Sequence, residues 1–247
     1  GTLKIGSNSF DTKTNINERE LGGGTISYDA ETHTLTLNGV NIEDSSRDWI
    51  IDSNDTDTLL NLVLVGENVI KGKGGIRAHK LNISGTGSLQ ITATDYEGIA
   101  GIGQSGDNLT IGSDVDITAM NGCAIIFGGV CIENGATVKA ECLYSGIDCY
   151  DLTIDSATEV NLESTGERYN AIYARRDNDG TVAGTANIKN SKLVLKAAYP
   201  AFYAADEIEI NGGSVEAEST SDAGIFTRGE LSITDADIDA SGYNYGI

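Results

Sequence analysis

The sequence predicts an all-β protein folded as a parallel β-helix, and three observations support this prediction. A motif of three short apolar segments recurs along most of the chain; in one copy the segments are Ile208/Ile210, Val215/Ala217 and Gly224/Ile225. A repeat of about this length is typical of solenoids. The 31 glycines and single proline suit many short strands joined by tight turns. Successive first segments begin 28, 21, 22, 34, 22 and 23 residues apart, at Leu81, Leu109, Val130, Leu152, Ala186, Ile208 and Leu231.

Each apolar segment predicts one short strand. Its apolar residues are two positions apart, so they lie on one face of a strand. No segment has the roughly 3.6-residue spacing, sustained over ten or more residues, that a helix requires. Three strands in each turn, each stacked on the same strand of the next turn, make a parallel β-helix. Leucine-rich repeats have a similar period, but their L-x-x-L-x-L pattern is missing here.

The chain divides into two regions. Residues 1–33 lack the motif, although Thr2–Ile5 and Thr25–Tyr28 look like strands, and we expect this region to form a β cap over the open end of the coil. Residues 34–247 are expected to form the coil as one folding unit, with an insertion at residues 175–185. Because the chain stops within a turn, at Gly246 and Ile247, we expect the natural protein to continue beyond residue 247.

The charge of the chain limits its partners. Net charge is −21 at pH 7. Nucleic-acid binding needs clustered lysine and arginine, and anionic membrane surfaces repel an acidic chain, so we expect neither partner. The charge is interpreted first as a source of solubility and second as an attraction for divalent cations. The sequence contains no apolar run long enough for a membrane span and no leader pattern, so the protein is either cytosolic or has lost a leader.

Four cysteines lie in two adjacent predicted turns. They include no C-x-x-C pair and have no histidine nearby, so a zinc site is not expected. The alternation places Cys149 inside the coil and Cys131 outside it, and free thiols are favoured over a disulfide. The four are Cys123, Cys131, Cys142 and Cys149.

An aromatic row is predicted on the outside of the third strand of each turn. If the apolar residues of these strands point inward, Tyr173, Tyr203 and Phe226 point outward from consecutive turns. Such rings suit the apolar faces of sugars. Two positions further on, the outward row is Tyr150, Arg175, Ala205 and Arg228, and we predict that Arg175 and Arg228 grip carboxylates. The alternative is an ordinary ladder of side chains, or one that the insertion or another chain covers.

Acidic side chains give a second candidate site. Glu141 and Glu163 are expected to lie one above the other, and two like charges in contact favour a cation between them. Asp177 and Asp179 in the insertion have the oxygen-rich composition of calcium loops, as does the segment 52–57. None of them has the spacing of an EF-hand or its closing glutamate. We interpret these acidic segments as solvated loops, with calcium binding as the alternative.

Catalytic residues are not identified by the sequence. The two histidines, His33 and His79, are not accompanied by a serine or cysteine nucleophile pattern. A lyase that acts on uronates would need a base beside clustered carboxylates, and nothing distinguishes one candidate among the arginines and lysines. In so acidic a chain, some pairs of carboxylates will always lie at the separation that glycosidases use. Such pairs are therefore not evidence for glycosidase activity.

Four segments resemble those of a known group of proteins: residues 24–42, 62–76, 81–103 and 208–218. They resemble secreted, repeat-containing surface proteins of anaerobic Gram-positive bacteria and, more distantly, are similar to the clostridial family of cellulose- and acid-sugar-binding β-helix proteins. The resemblance implies a right-handed, pectate-lyase-like β-helix that binds polysaccharide with calcium and without catalysis. It assigns no site residue, and the same fold class also includes lyases and hydrolases.

Three functions follow as hypotheses. The first is a non-catalytic carbohydrate-binding or cell-surface module, extracellular and monomeric, that recognises plant-type or acidic polysaccharide with calcium. The second is a scaffold or adhesin repeat that only projects another domain. The third is a polysaccharide lyase or hydrolase.

Overall fold

The protein is an all-β solenoid of about nine turns, as a computed structural model shows for residues 1–102, 106–177 and 179–247. The predicted parallel β-helix is therefore confirmed. Among these residues, no helix is long and apolar enough to cross a membrane.

The N-terminal strands pair in antiparallel fashion. They are β1 (Thr2–Ile5), β2 (Asn8–Asp11), β3 (Ile16–Leu21) and β4 (Gly24–Asp29). Strands β1 and β4 match the predicted segments, whereas β2 and β3 lie in a stretch for which the sequence analysis predicts no strand. Strand β4 lies antiparallel against β5, and β1 lies antiparallel against the end of β6. These two pairings cover the edges that the first turn of the coil would otherwise expose. Strands β5 and β6 comprise Thr34–Asn38 and Asn41–Ser53.

From β5 onward every pairing within the coil is parallel in the described part of the chain. The three longest strands of the coil, including β6, turn a corner and so serve two positions of their turn. The remaining strands are β7 (Leu59–Val65), β8 (Glu67–Arg77), β9 (Lys80–Gly85), β10 (Ser88–Ala93), β11 (Ile99–Ala100), β12 (Asn108–Ile111), β13 (Asp114–Ala119), β14 (Ile125–Ile126), β15 (Gly129–Ile132), β16 (Thr137–Cys142), β17 (Ile147–Cys149), β18 (Asp151–Asp155), β19 (Glu159–Ser164), β20 (Ile172–Ala174), β21 (Thr185–Ala197), β22 (Phe202–Ala204), β23 (Glu207–Ser219), β24 (Ile225–Thr227), β25 (Glu230–Thr234) and β26 (Asp237–Ser241).

The core is a stack of apolar side chains inside the coil. In each ladder an inward residue pairs with the inward residue of the next turn, as the motif predicts: Leu152 with Ala186, Val160 with Leu193, and Ile172 with Phe202. These side chains are fully or almost fully buried. Since the register of every ladder keeps apolar residues on apolar residues, the direction of each intervening side chain follows from it.

The corner between the first and second strands repeats a left-handed backbone conformation. Five successive turns place a residue with positive φ there, and only one of the five is glycine. Short polar side chains tolerate this conformation better than other residues do, and glycine adopts it without strain. The glycine content predicts tight turns, and the structure shows that this corner also accepts polar residues. The five are Asn134, Ser156, Asn190, Gly212 and Asp235.

The cysteines follow the predicted pattern. All four are free thiols. Cys149 lies inside the coil, and Cys131 is half-buried on an outward position of β15, with its Sγ 3.7 Å from a Glu133 carboxylate oxygen. Burial raises the pKa of the Cys131 thiol to about 11, and the neighbouring carboxylate contributes to the shift.

Core packing in the third ladder can be tested with two phenylalanines. Phe202 is fully buried, whereas Phe226, one turn later, points outward. Phe202→Ala should reduce the free energy of unfolding by about 3 to 5 kcal/mol, because it removes a large side chain and leaves a cavity. Phe226→Ala should cost about 1 kcal/mol or less. Urea denaturation measures both, and equal losses would contradict the inward and outward assignments.

Candidate functional site

The predicted aromatic row is present on the third strands. Strands β20, β22 and β24 are in register, so Tyr173, Tyr203 and Phe226 follow one another along the outside of the coil. The ring centroids of Tyr173 and Tyr203 are 5.3 Å apart, and those of Tyr203 and Phe226 are 5.9 Å apart. Both tyrosines are half-buried, and Phe226 is 42% exposed. The row therefore presents aromatic surface to solvent.

A second aromatic row faces the first. Tyr144, Tyr169 and Tyr199 lie in the corners that precede β17, β20 and β22. The ring centroids of Tyr144 and Tyr169 are 4.6 Å apart, and Tyr169 and Tyr199 are 37% and 46% exposed. The sequence analysis missed this row. Each of these tyrosines stands three residues before the inward residue of its third strand, and that constant offset is the signal that could have identified them.

The two rows line one groove, which we call the aromatic groove. Its volume is about 600 Å³. The charged residues that line it are Glu97, Asp148, Arg168, Asp222 and Arg228. No described residue of the insertion, from Arg175 to Thr185, lines the groove. The insertion is held to one side, because Asp206 accepts hydrogen bonds from the Arg176 guanidinium and from the backbone N–H of Gly184.

Arg175 is engaged within the protein. Its Nε donates to the Asp148 carboxylate at 2.6 Å, and its Nη1 donates to the Tyr150 hydroxyl at 3.3 Å. The guanidinium also lies 4.7 Å from the centroid of the Tyr150 ring. Tyr150 and Ala205 lie outside the apolar core, in agreement with the predicted outward direction, but both are buried. Tyr150 is covered by Arg175, which is why it is hidden although it is not part of the apolar core.

Arg228 and Arg168 remain directed at the groove. Among the described residues neither arginine forms an ion pair, and both are exposed. Arg228 was predicted from its position after the third strand, whereas Arg168 lies in the same corner as Tyr169 and was not predicted. Two guanidinium groups without an internal carboxylate partner can donate bidentate hydrogen bonds to a ligand.

Burial changes the ionisation of the groove residues. It raises the pKa of the Asp148 carboxyl, and the Arg175 guanidinium only partly offsets that effect. Burial also raises the pKa of Tyr173, and the neighbouring Tyr203 and Asp148 add to the shift. Tyr173 therefore stays neutral and acts as a hydrogen-bonding aromatic surface, and the Arg175 guanidinium stabilises the ionised form of Asp148.

The predicted acidic sites lie apart from the groove. Glu141 and Glu163 are directly paired neighbours on β16 and β19, as expected, and both are exposed. In the insertion, Asp177 accepts hydrogen bonds from the Thr181 hydroxyl and the Val182 N–H, and Asp179 accepts from Thr181. In the part of the chain that the structure describes, no three His, Cys, Asp or Glu side chains form a group able to hold a metal. Calcium binding stays a prediction.

The histidines lie outside the groove. His33 contacts the Tyr28 hydroxyl at 3.1 Å, and His79 contacts Asp107 at 3.1 Å. Neither side chain lines the groove.

The contact between Arg175 and Asp148 should contribute to the free energy of unfolding in a pH-dependent way. The two side chains are 19% and 16% exposed. At about pH 7, Arg175→Gln should cost about 2 kcal/mol of unfolding free energy, since it leaves a largely buried carboxylate without its charged partner. The folded-state pKa of Asp148 is already raised, so the penalty should shrink as pH falls through that pKa and the carboxyl is protonated.

The matched control is Arg176→Gln. Its partner Asp206 has a pKa lowered to about 2, with the Arg176 hydrogen bond as the largest cause. Asp206 therefore stays ionised at about pH 5, and the smaller effect of Arg176→Gln should not change between about pH 7 and 5. Thermal unfolding at both pH values measures the difference. A loss for Arg175→Gln that is independent of pH would contradict the assignment.

Comparison with known proteins does not assign the chain to a family. No family model matches the chain, and neither a curated protein nor a solved structure matches it. The resemblance to clostridial sugar-binding β-helices stays a prediction, and function has to be inferred from the groove itself.

Proposed function

We propose that the protein is a non-catalytic carbohydrate-binding module, extracellular or on the cell surface, that holds polysaccharide in the aromatic groove. The observation that carries this proposal is the pair of facing aromatic rows in one open groove of about 600 Å³. Each row repeats once per turn, at a spacing of roughly 4.8 Å. A ligand with a repeating structure fits such a periodic surface better than a compact metabolite does.

Aromatic rings bind sugars through the apolar face of the sugar ring. Tyr173, Tyr203 and Phe226 offer partly exposed ring surface, and the tyrosine hydroxyl groups can exchange hydrogen bonds with sugar hydroxyl groups. The opposite row adds a second wall. A chain lying between the rows would therefore be contacted from two sides, which removes more of its surface from water than a single flat face would.

The arginines favour a ligand that carries carboxylates as well as hydroxyl groups. Arg228 and Arg168 are the cations that we assign to ligand binding, because Arg175 is already paired with Asp148. Arg175 is instead a positioning residue that holds Asp148, which lines the groove, and that packs on Tyr150. An acidic, uronate-type polysaccharide is thus the proposed ligand class. Because the net charge of the protein is −21, we propose that calcium assists the binding of this ligand.

Tyr203 lies at the centre of the proposed contact. Tyr203→Ala should weaken binding to polygalacturonate about fivefold or more, because stacking on an aromatic ring contributes roughly 1 kcal/mol beyond the area it buries. Affinity electrophoresis or calorimetry, with calcium and with a chelator, measures the change. Thr153→Ala, on the outside of a first strand, is the control and should bind as the wild type does.

The same measurements separate the other hypotheses. A scaffold or adhesin repeat predicts that Tyr203→Ala leaves every interaction intact. A lyase or hydrolase predicts that wild-type protein releases products from polygalacturonate. If the wild-type protein binds neither polygalacturonate nor cellulose, with or without calcium, the proposed function is wrong.

A further inference from the structure

A second aromatic cluster lies on the same face as the groove, near the N-terminal end of the coil. Trp49 and Tyr96 are stacked, with ring centroids 5.8 Å apart and 18° between the ring planes. The Arg77 guanidinium lies 5.7 Å from the centroid of the Trp49 ring. Trp49 lies close over Gly74, where a Cβ would come within 2.7 Å of the indole ring. The backbone of β8 therefore needs glycine at this position for the indole to lie against it.

The cluster brings three cations together with the carboxylates of Asp48 and Asp52. Lys4, Arg47 and Arg77 line a cavity of about 190 Å³ beside Trp49. Arg77 and Lys4 both pair with the buried carboxylate of Asp52, at 2.9 and 3.4 Å. Arg47 is exposed and forms no ion pair with any described residue. An aromatic ring beside an available arginine repeats the chemistry of the aromatic groove.

The register of the third strands connects the cluster to the groove. Outward residues pair from turn to turn in one continuous row along the coil axis. Between its two ends the row projects little from the coil, because its side chains there are Ala100 and Ile126. The facing corner carries Gly122. Ile126 already lines the groove, so Ala100 is the one position of the row between the groove and the cluster. The row is Asp52, Arg77, Ala100, Ile126, Asp148, Tyr173, Tyr203 and Phe226.

We propose that the cluster of Trp49, Tyr96, Arg77 and Arg47 is a second glycan subsite, and that one polysaccharide chain lies along the coil axis and contacts both sites. This inference rests on the proposed function of the groove. Five turns separate Trp49 from Tyr173, which is about 24 Å at roughly 4.8 Å for each turn. A fragment shorter than that distance cannot contact both Trp49 and Tyr173, whereas a longer fragment can.

Chain length is therefore the variable that tests the subsite. The probes are size-graded fragments of polygalacturonate and of cellulose, and the fragments of the polymer that wild-type protein binds more tightly are used. Linking two sites through one ligand makes the second contact intramolecular, which raises affinity by about 100-fold or more once both are spanned. We expect wild-type affinity to rise steeply at fragments that exceed about 24 Å.

Two variants locate the second contact. Trp49→Ala and Arg47→Gln should bind short fragments as the wild type does, and should lose about tenfold or more of the affinity for long fragments. Arg47 is exposed, so Arg47→Gln tests the subsite even if Trp49→Ala does not fold. Tyr203→Ala should weaken the binding of short and long fragments alike.

The outcomes distinguish the two proposals. If Arg47→Gln and folded Trp49→Ala bind long fragments as tightly as the wild type while Tyr203→Ala does not, the second subsite is wrong and the groove function stands. If affinity does not rise with fragment length, the second subsite is likewise wrong and the groove function stands. If wild-type protein binds no fragment and neither parent polymer, both proposals fail.

Discussion

The in-register stacking of parallel strands is the constraint on which the rest of this structure depends. Each inward residue meets an inward residue of the next turn, and almost all of these side chains are excluded from water. Slipping one strand by a single residue would place its apolar side chains outside and its polar side chains in the core. The burial of the core therefore fixes the direction of the outward side chains, and a residue type that recurs at one position becomes a straight row on the surface.

This constraint explains how much of the molecule the sequence predicts. The apolar alternation is enough to align Ile172 with Phe202 and so to place Tyr173 beside Tyr203. It does not reach the corners, where backbone direction changes and alternation stops, so the row of Tyr144, Tyr169 and Tyr199 was missed. The cap strands β2 and β3 were missed for a related reason. They pair as antiparallel hairpins with polar side chains, and they lack the apolar repeat that marks the coil.

The apolar alternation also does not predict which side chains contact one another. Alternation places Arg175 on the outside of the coil, but it carries no information about where a long side chain turns. The guanidinium folds back over Tyr150 to Asp148, since a carboxylate in a partly buried position is stabilised strongly by a cation beside it. Arg175 was predicted as a ligand contact but is occupied by an internal ion pair, and Arg168, from a corner, lines the groove together with Arg228.

The electrostatics of the groove differ from those of the whole chain. A net charge of −21 repels polyanions at a distance, but salt screens exposed charges beyond roughly 8 Å at physiological ionic strength. At contact, local arginines and aromatic rings decide the interaction. The acidic pairs Glu141/Glu163 and Asp177/Asp179 lie away from the groove, so their charge influences solubility and ion atmosphere more directly than the ligand contact.

The central claim is that the aromatic groove is the surface that holds glycan, and hydroxyl-radical footprinting with and without polygalacturonate tests it most directly. The account predicts that oxidation of Tyr169, Tyr199 and Phe226 decreases when the polysaccharide is present. Tyr243 and Tyr245 are 79% and 70% exposed outside the groove and serve as internal controls whose oxidation should not change. Unchanged oxidation of all five residues at saturating polysaccharide, or protection confined to Tyr243 and Tyr245, would contradict the account.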